Sequence, residues 1–507
     1  MELKTEYPDN RWMILGVMSL SLIIVMLNNV TLNVALPELS KDLNAGNSQL
    51  QWILDSYALV FGGTLLLMGA LGDRFGRKGA LQIGLVIVAC ASAWTALYAE
   101  TSNQVIFARA AMGLGAALVM PSTLSVVLVV FPSEERGKAI GIWAAMAGVG
   151  APIGLLVGGW AVETYDWQMV FLINVPIIAL ALILGAILVP RSKDTTGKPL
   201  DWLGAFLSVV ALGSLLYGII EGPSLGWDDQ KVLLAFTVFL ISGFSFIRWQ
   251  LKSEHPLLPM EFFSQRQYTI GLMAIALAMF VMFSFMFMQM LHFQLVRGLS
   301  PLEAAIRFFP LPLGLMPAAA NSDKLVGKFG RRKVITFGLC LVAVGLMLFT
   351  LVDIETAYAQ IAVTFLLLGL GMGLTMAPST TAIMEAIPQN KAGVGSATND
   401  ASREIGGALG IAIGGSVLNQ IYQSALVIPE SFSASKEIFM ASFPATMRIG
   451  NESLNPDAPM LIASAREAFV EGMIGSCYIT AVVAILAAII VWTMMPDEEP
   501  KDVSSEE

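Results

Sequence analysis

Leu71-Gly72-Asp73-Arg74-Phe75-Gly76-Arg77-Lys78 returns in this chain as Leu325-Val326-Gly327-Lys328-Phe329-Gly330-Arg331-Arg332, a shift of 254 positions (71 to 325). Each copy follows an apolar run. A second series holds the register: Pro132, Gly137, Gly150, Gly154, Gly158 and Gly159 recur, 256 positions on, as Pro388, Gly393, Gly406, Gly410, Gly414 and Gly415. Met120-Pro121-Ser122-Thr123 has a near-copy in Ala377-Pro378-Ser379-Thr380. Two related halves that place basic loops between hydrophobic helices form the pattern of a secondary transporter built by duplication.

Composition agrees. Of 507 residues 56% are hydrophobic and 13% charged, with a mean hydropathy of +0.72, where a soluble chain carries about 25% charge. Apolar runs repeatedly reach the roughly 20 residues that cross a bilayer. Fourteen spans are predicted, at 12–37, 50–72, 80–99, 104–131, 138–161, 169–189, 202–221, 231–249, 270–296, 302–322, 333–352, 358–382, 402–424 and 470–495. Arg74, Arg77, Lys78, Arg136, Lys138, Arg191, Lys193, Lys198 and Lys324 to Lys333 fall on one side, whereas the loops at 98–103, 162–168, 222–230 and 352–358 hold almost no Lys or Arg. By the positive-inside rule both termini are cytoplasmic. The expected fold is an all-α polytopic membrane protein: a six-helix half (1–190), a two-helix insert (191–261), and a second six-helix half (262–495) interrupted by a long outer loop at 425–469. Asp201-Trp202 and Trp227 are expected as interfacial anchors of the insert. An acidic tail (496–507) supplies about −5 of the net charge of −9, so the charge balance says little about nucleic acid. Cys90, Cys340 and Cys477 have neither metal nor disulfide spacing. The first apolar run is too long for a cleaved leader and is taken as a spanning helix.

These motifs resemble those of the major facilitator superfamily, in its fourteen-spanner drug:proton antiporter branch. Gly69 to Lys78 is similar to the loop motif after helix 2, Arg109-x-x-x-Gly113-x-Gly115 to the helix 4 motif, and Gly150 to Gly159 to the glycine-rich helix 5 motif of antiporters. Asn33 to Pro37, Gln51 to Tyr57, Phe171 to Pro176 and Arg297 to Ala304 resemble further signatures of the branch. Three positions depart from it: Asn28-Asn29 stands where related exporters carry an acid, Gly154-Leu155 replaces Gly-Pro, and Gly327 replaces the Asp of the second basic loop.

A carboxylate in hydrocarbon costs several kcal/mol, so Asp55, one and a half turns into helix 2, must face a cavity, find a partner or bind a proton. Arg109, at similar depth in helix 4, is expected to modulate it directly or through water. Both are the candidate proton-coupling residues; the bland alternatives are a solvated mouth residue and a helix brace. Asn28 and Asn29 are candidate substrate contacts, and Asn29 and Asn33 share a face at i, i+4. On helix 9, Met282, Met286 and Gln289, with His292 beside them, form a pliable wall suited to lipophilic ligands, or ordinary core. His292 is expected near the outer mouth as a hydrogen-bonded interfacial residue. Asp73, Arg74, Arg77 and Lys78 are expected to latch one access state as well as to set topology. Gly154, Gly158 and Gly159 are expected to let helices approach closely. The Asp400-Arg403-Glu404 cluster and Glu385 are placed at cytoplasmic helix ends, solvated or salt-bridged, with Glu303 as the alternative coupling acid.

No Walker motif, metal-binding histidine pair or nucleophile–base pair points to an enzyme. The resemblance implies proton-coupled export of lipophilic, often cationic, drugs or biocides by alternating access. A transporter of a lipid or amphipathic metabolite, and a non-transporting receptor on the same scaffold, remain open. The expected partners are a small lipophilic substrate, protons and the bilayer of a prokaryotic inner membrane. No cofactor, metal or nucleic acid is expected, and the chain is expected to act as a monomer.

Overall fold

The computed structural model describes residues 8–193, 200–387 and 392–496, and the regular elements among them are helical. The first group comprises α1 (Arg11–Val30), α2 (Leu32–Leu43), α3 (Asn47–Phe75), α4 (Arg77–Tyr98), α5 (Ser102–Val130), α6 (Ser133–Thr164), α7 (Met169–Leu172) and α8 (Asn174–Leu188). Next come α9 (Trp202–Leu225) and α10 (Gln230–Lys252). The second group comprises α11 (Arg266–Leu291), α12 (Pro301–Ile306), α13 (Pro310–Phe329), α14 (Arg331–Phe349), α15 (Tyr358–Glu385), α16 (Ala392–Ala425), α17 (Lys436–Ala441), α18 (Phe443–Glu452) and α19 (Ala458–Met494).

Length and hydropathy pick out 12 membrane-crossing segments among the described residues, not the expected fourteen. The two they leave out are α6 and α13. In α13, Asp323, Lys324 and Lys328 dilute the apolar run, whereas the side chains of α6 lie in part outside the described residues, and its stretch 141–158 carries no charged residue. The acidic tail beyond Pro496 lies outside the described residues.

The repeated basic phrase becomes the same device twice. Gly76 (φ +127°) ends α3 and Gly330 (φ +84°) ends α13, each in the backbone region that glycine alone enters freely. Each is followed at once by an antiparallel helix that opens on a cation, Arg77 or Arg331.

Packing repeats too. Gly84 of α4 faces Gly115 of α5 so closely that a side-chain carbon at Gly84 would lie 2.6 Å from the Gly115 carbonyl oxygen. Their repeat partners, Gly338 of α14 and Gly371 of α15, meet likewise, at 2.7 Å. Gly113 rests on the Tyr57 carbonyl of α3, and Gly369 on the Leu311 carbonyl of α13. In α6, Gly150, Gly154 and Gly158 pack on Met26, Leu27 and Thr31, whereas in α16 Gly406, Gly410 and Gly414 pack on Ala276, Phe280 and Ser284 of α11. Lipid offers no hydrophobic drive between helices, so close backbone approach at small residues supplies the contact.

Two expectations about connections change. Residues 425–469 are not an open loop. A 3₁₀ turn (Glu430–Ser435), α17 and α18 fold over an aromatic cluster in which Phe443 stacks on Phe469 with ring centroids 4.2 Å apart. The last helix starts at Ala458, twelve residues before the expected 470. Arg466 and Glu467 lower the hydropathy there while the helix runs on past the apolar core. Asp201 is a buried hub rather than an interfacial anchor. It caps α9 through the Gly204 N–H (2.7 Å) and accepts from Trp249 Nε1 (2.6 Å) and Gln250 Nε2 (2.7 Å), while Trp202 and Trp227 are exposed as expected.

The glycine contacts carry a testable consequence. Gly84→Ala and Gly338→Ala each force two backbones apart and are expected to destabilise by about 1–3 kcal/mol, read as a lower Tm of the purified protein. Gly79→Ala and Gly327→Ala, where nothing lies within 4 Å of the added carbon, are expected to leave Tm unchanged or raised.

Candidate functional site

Arg109 organises the first group. It is 1% exposed, and its Nη1 donates to the Asn28 carbonyl (2.7 Å) while Nε donates to the Ile53 carbonyl (3.1 Å). Its guanidinium lies over the Tyr57 ring at 4.3 Å. The Asn28 oxygen it takes would otherwise belong to the α1 ladder, and that ladder is interrupted three residues on, at Thr31. Val34 N–H turns to the Thr31 carbonyl (3.3 Å), and Asn33 Nδ2 takes the Val30 carbonyl (3.1 Å). Helix 1, expected as one run from 12 to 37, is therefore two segments. Asn29 and Asn33 do not share a role: Asn33 bonds locally, and Asn29 reaches the second group. Gly154 and Gly158 pack against the interruption at Thr31, and Gly159 faces Pro301 and Leu302 of α12.

Asp55 is fully buried, and among the described residues neither carboxyl oxygen has a hydrogen-bond partner. It sits eight residues into α3, deeper than expected because the helix begins at Asn47. Of the two routes expected from Arg109, direct and through water, the direct contact is not made. Residues two apart on a helix point about 200° apart, so Tyr57, under the guanidinium, and Asp55 lie on opposite sides of α3. Gln51, Ala58 and Gly62, at i−4, i+3 and i+7 from Asp55, share its side. That side meets α16: Gln51 lies against Gly415, Ala58 clusters with Ala408 and Ala412, and Gly62 lies against Ala401 and Glu404. Asp55 thus faces the seam between the two groups.

Glu404 lies on the same seam. The sequence places it at a solvated helix end, but in the structure it is 7% exposed and accepts from Asn29 Nδ2 at 3.2 and 3.3 Å, across the two groups. The clue in the sequence was its spacing: Glu404 and Ala408 stand four apart on the face of α16 that meets α3. Asp400 does pair with Arg403, at 3.8 Å. Glu303 is exposed and serves in a capping box with Ser300, which removes it from the candidate coupling acids. Asn28 also does structural work, donating to the Ile24 carbonyl (2.9 Å) and accepting from Asn174 Nδ2 (3.4 Å).

On α11, the ninth expected span, Met286 and Gln289 are buried and Met282 is half-buried. His292 is not at a mouth: it is fully buried, bonded to Gln289 at 3.0 Å and stacked on Phe293. A π-helical turn over His292–Val296 tucks it into the aromatic core, with its ring edge-on to Phe349. Gln294, two residues on, reaches the first group instead, donating to the Val34 carbonyl at 2.8 Å.

The polar ties between groups gather on the face poor in Lys and Arg. Glu163 accepts from Ser300 Oγ (2.8 Å) and the Leu302 N–H (3.1 Å), Asn47 donates to Asn419 (2.8 Å), and Arg448 of α18 reaches Asn44 (2.8 Å) and the Lys41 carbonyl. On the basic face, ion pairs join residues of one group: Arg77 with Asp73 (2.7 Å), Arg11 with Glu135 (2.7 Å) and Arg331 with Glu385 (2.7 Å). Lys78 donates to the Ala186 carbonyl (2.7 Å), while Arg74 lies over Phe75. A crevice of about 730 Å³ between α14 and α19, lined by Cys340, Met347, Tyr478 and Trp492, opens on the bundle's outer surface and contains none of these groups.

Residues 18–411 match the Major Facilitator Superfamily. The chain is 32% identical over 489 residues to the multidrug efflux pump LfrA of Mycolicibacterium smegmatis, covering 96% of this chain and 97% of that one. It is 33% identical over 466 residues to the methyl viologen resistance protein SmvA of Salmonella typhimurium, covering 91% and 93%. Among solved structures, a bacterial homolog of the human lysosomal transporter Spinster, inward-facing and unoccupied, superposes with a TM-score of 0.67 at 17% identity, covering 96% and 98%; that likeness speaks for the fold alone. The chain belongs to the Major Facilitator Superfamily, and these relatives are membrane efflux and resistance proteins, not enzymes.

Proposed function

We propose that this chain exports lipophilic, often cationic, drugs or biocides in exchange for protons, by alternating access between two six-helix halves (residues 1–190 and 262–495). In this reading α6 and α13 join the 12 apolar segments to give fourteen spans. The insert 191–261 straddles the halves: Ser208 of α9 donates to the Gly63 carbonyl (3.1 Å), and Ser416 of α16 donates to the Ile219 carbonyl (2.7 Å). Both termini lie in the cytoplasm of a prokaryote, and the chain works as a monomer.

One observation supports the coupling: Asp55, a fully buried carboxyl with no hydrogen-bond partner among the described residues, on the seam between the halves. An ionised carboxylate there would cost several kcal/mol. The closed seam is therefore compatible with the protonated acid, and parting the halves lets water in and the proton out. That links protonation to access. Arg109 keeps the first half rigid and sets the local field from the far side of α3. With the termini inside, the cross-half ties lie outside, so this conformation is closed outward. Asp73, Arg74, Arg77 and Lys78 brace the inner loop, and the glycines Gly154, Gly158 and Gly159 hold α6 against α1 and α12. Met282, Met286 and Gln289 give the second half an adaptable wall, and Asn28 and Asn29 line the first.

Asp55→Asn is expected to abolish gradient-driven export in proteoliposomes while retaining substrate binding and downhill exchange. Asp55→Glu, which keeps a titrating group, is expected to retain part of the activity. Substrate-elicited proton flux at the wild-type level in Asp55→Asn would place the coupling elsewhere.

Orientation has its own test. In a background with Cys90, Cys340 and Cys477 replaced by Ser, a cysteine at the exposed Glu437 is expected to react with a membrane-impermeant maleimide in intact cells. Labelling only after lysis would reverse the topology.

A further inference from the structure

We propose that the crevice between α14 and α19 holds one acyl chain of an anionic phospholipid, whose phosphate sits at Arg332 and Lys333. The site lies away from the seam between the halves and does not depend on the export reading.

The crevice lies where the two halves diverge at equivalent positions. In the first half Lys78 Nζ donates to the Ala186 carbonyl (2.7 Å) and Gln82 Nε2 to the Leu182 carbonyl (3.1 Å), so the first turns of α4 are tied to α8. The repeat, 254 positions on, has Arg332 and Thr336 there. Threonine lacks the reach of glutamine, and the Thr336 hydroxyl is buried without a hydrogen-bond partner among the described residues. Arg332 instead lays its guanidinium over the Trp492 ring, 5.1 Å from the centroid. Past that contact α14 and α19 part along the bundle's outer surface and leave about 730 Å³.

The shape suits a hydrocarbon chain. The lining runs from Thr336 to Leu348 on α14 and from Tyr478 to Trp492 on α19, and at 1.5 Å per residue it is roughly 20 Å long. Over that length the volume leaves a cross-section on the order of 35 Å², far less than the section of a helix 10–12 Å across. Ala343 and Ala488, each 5% exposed, form the floor, and the more exposed Met347, Tyr478, Ile489 and Trp492 stand around it. A second copy of this chain would have to seat a helix. A water-soluble ligand would have to cross lipid, because both helices are membrane-crossing segments. The bilayer's own chains are the occupant that fits.

Charge selects the headgroup. Arg332 and the exposed Lys333 stand about one turn before Thr336, at the end of the crevice that Trp492 closes. Arg331 beside them pairs with Glu385. Basic pockets between spanning helices bind anionic headgroups, and a Trp at that level suits the membrane interface. A zwitterionic headgroup would bring its ammonium against the same two cations.

The test is photo-crosslinking in proteoliposomes. Trace phosphatidylglycerol and phosphatidylcholine with the same diazirine-bearing chain are compared, and labelled peptides are mapped by mass spectrometry. The lipid-facing helix α10 is the internal reference. Wild type is expected to label α14 and α19 along the crevice in preference with phosphatidylglycerol. Arg332→Gln is expected to lose about fivefold in that preference, the worth of one basic residue at an anionic surface, and Arg332→Lys to keep most of it. Cys340→Trp, which fills the crevice from an exposed position, is expected to lower crevice labelling by both probes while α10 labels as in wild type. Lys328→Gln, which removes a charge over Phe329 instead, is expected to keep the wild-type pattern. Equal crevice labelling by the two probes in wild type, an Arg332→Gln protein that loses no more than Lys328→Gln, or undiminished labelling in Cys340→Trp would each overturn the assignment. Disulfide-linked dimers through Cys340, formed on oxidation with Cys90 and Cys477 replaced by Ser, would give the crevice to a second copy and overturn it too.

Discussion

A guanidinium inside a membrane protein must spend its hydrogens on something, and Arg109 spends two of them on backbone carbonyls. By taking the Asn28 oxygen it interrupts the α1 ladder near Thr31, and by taking the Ile53 oxygen it ties α5 to α3. Freed backbone groups in the hydrocarbon region need new partners. The chain provides them locally: the Thr31 carbonyl serves Val34, and the amide of Asn33 serves the Val30 carbonyl. Tyr57 completes the joint, holding the guanidinium on its ring and donating to the Val25 carbonyl at 3.2 Å. Three helices are thereby locked, and Asn29 is left turned toward the second half.

The glycine contacts set the distances within which this joint works. Gly113 brings α5 against the Tyr57 carbonyl, and Gly158 brings α6 against Thr31, so both neighbours close on the region Arg109 organises. The second half repeats the spacing without the chemistry. Gly369 and Gly414 make the equivalent approaches, yet α11 runs unbroken from Arg266 to Leu291, and Gly369 lies four residues beyond Phe365, a buried aromatic at the repeat of Arg109. Duplication preserved the packing grammar while the polar groups diverged. Where the first half holds Arg109, the second holds a buried aromatic cluster of Phe365, Phe293, Phe285 and Phe349. That asymmetry concentrates charge on the seam beside α16.

In the proposed exchange, acids from both halves on one seam, Asp55 from the first and Glu404 with Asp400 one turn before it from the second, would link proton to movement. In that proposal, parting of the halves would admit water to the seam. The ties on the face poor in Lys and Arg, from Glu163 to Ser300 and from Arg448 to Asn44, hold the closed arrangement on that side only. In the proposed cycle, movement about them would expose the seam from the opposite, basic face.

The sequence by itself determined the helical membrane class, the repeat and the family, because hydropathy, small-residue spacing and the paired basic loops are local properties that read directly from residue order. It also singled out Asp55 and Arg109, since ionisable residues within apolar runs are conspicuous. Only the tertiary structure decided which groups meet. Asp55 and Tyr57 are two residues apart in sequence but on opposite faces of α3, so the arginine beside one does not touch the other. Glu404 looks like a helix-end residue in a polar stretch, and its burial depends on Asn29 and Gly62, more than 340 residues away in sequence. His292, amphipathic in sequence, is drawn into an aromatic core by a π-helical turn that leaves no mark in residue order. Burial and pairing are properties of surfaces brought together, and no single run of residues encodes what lies across the gap.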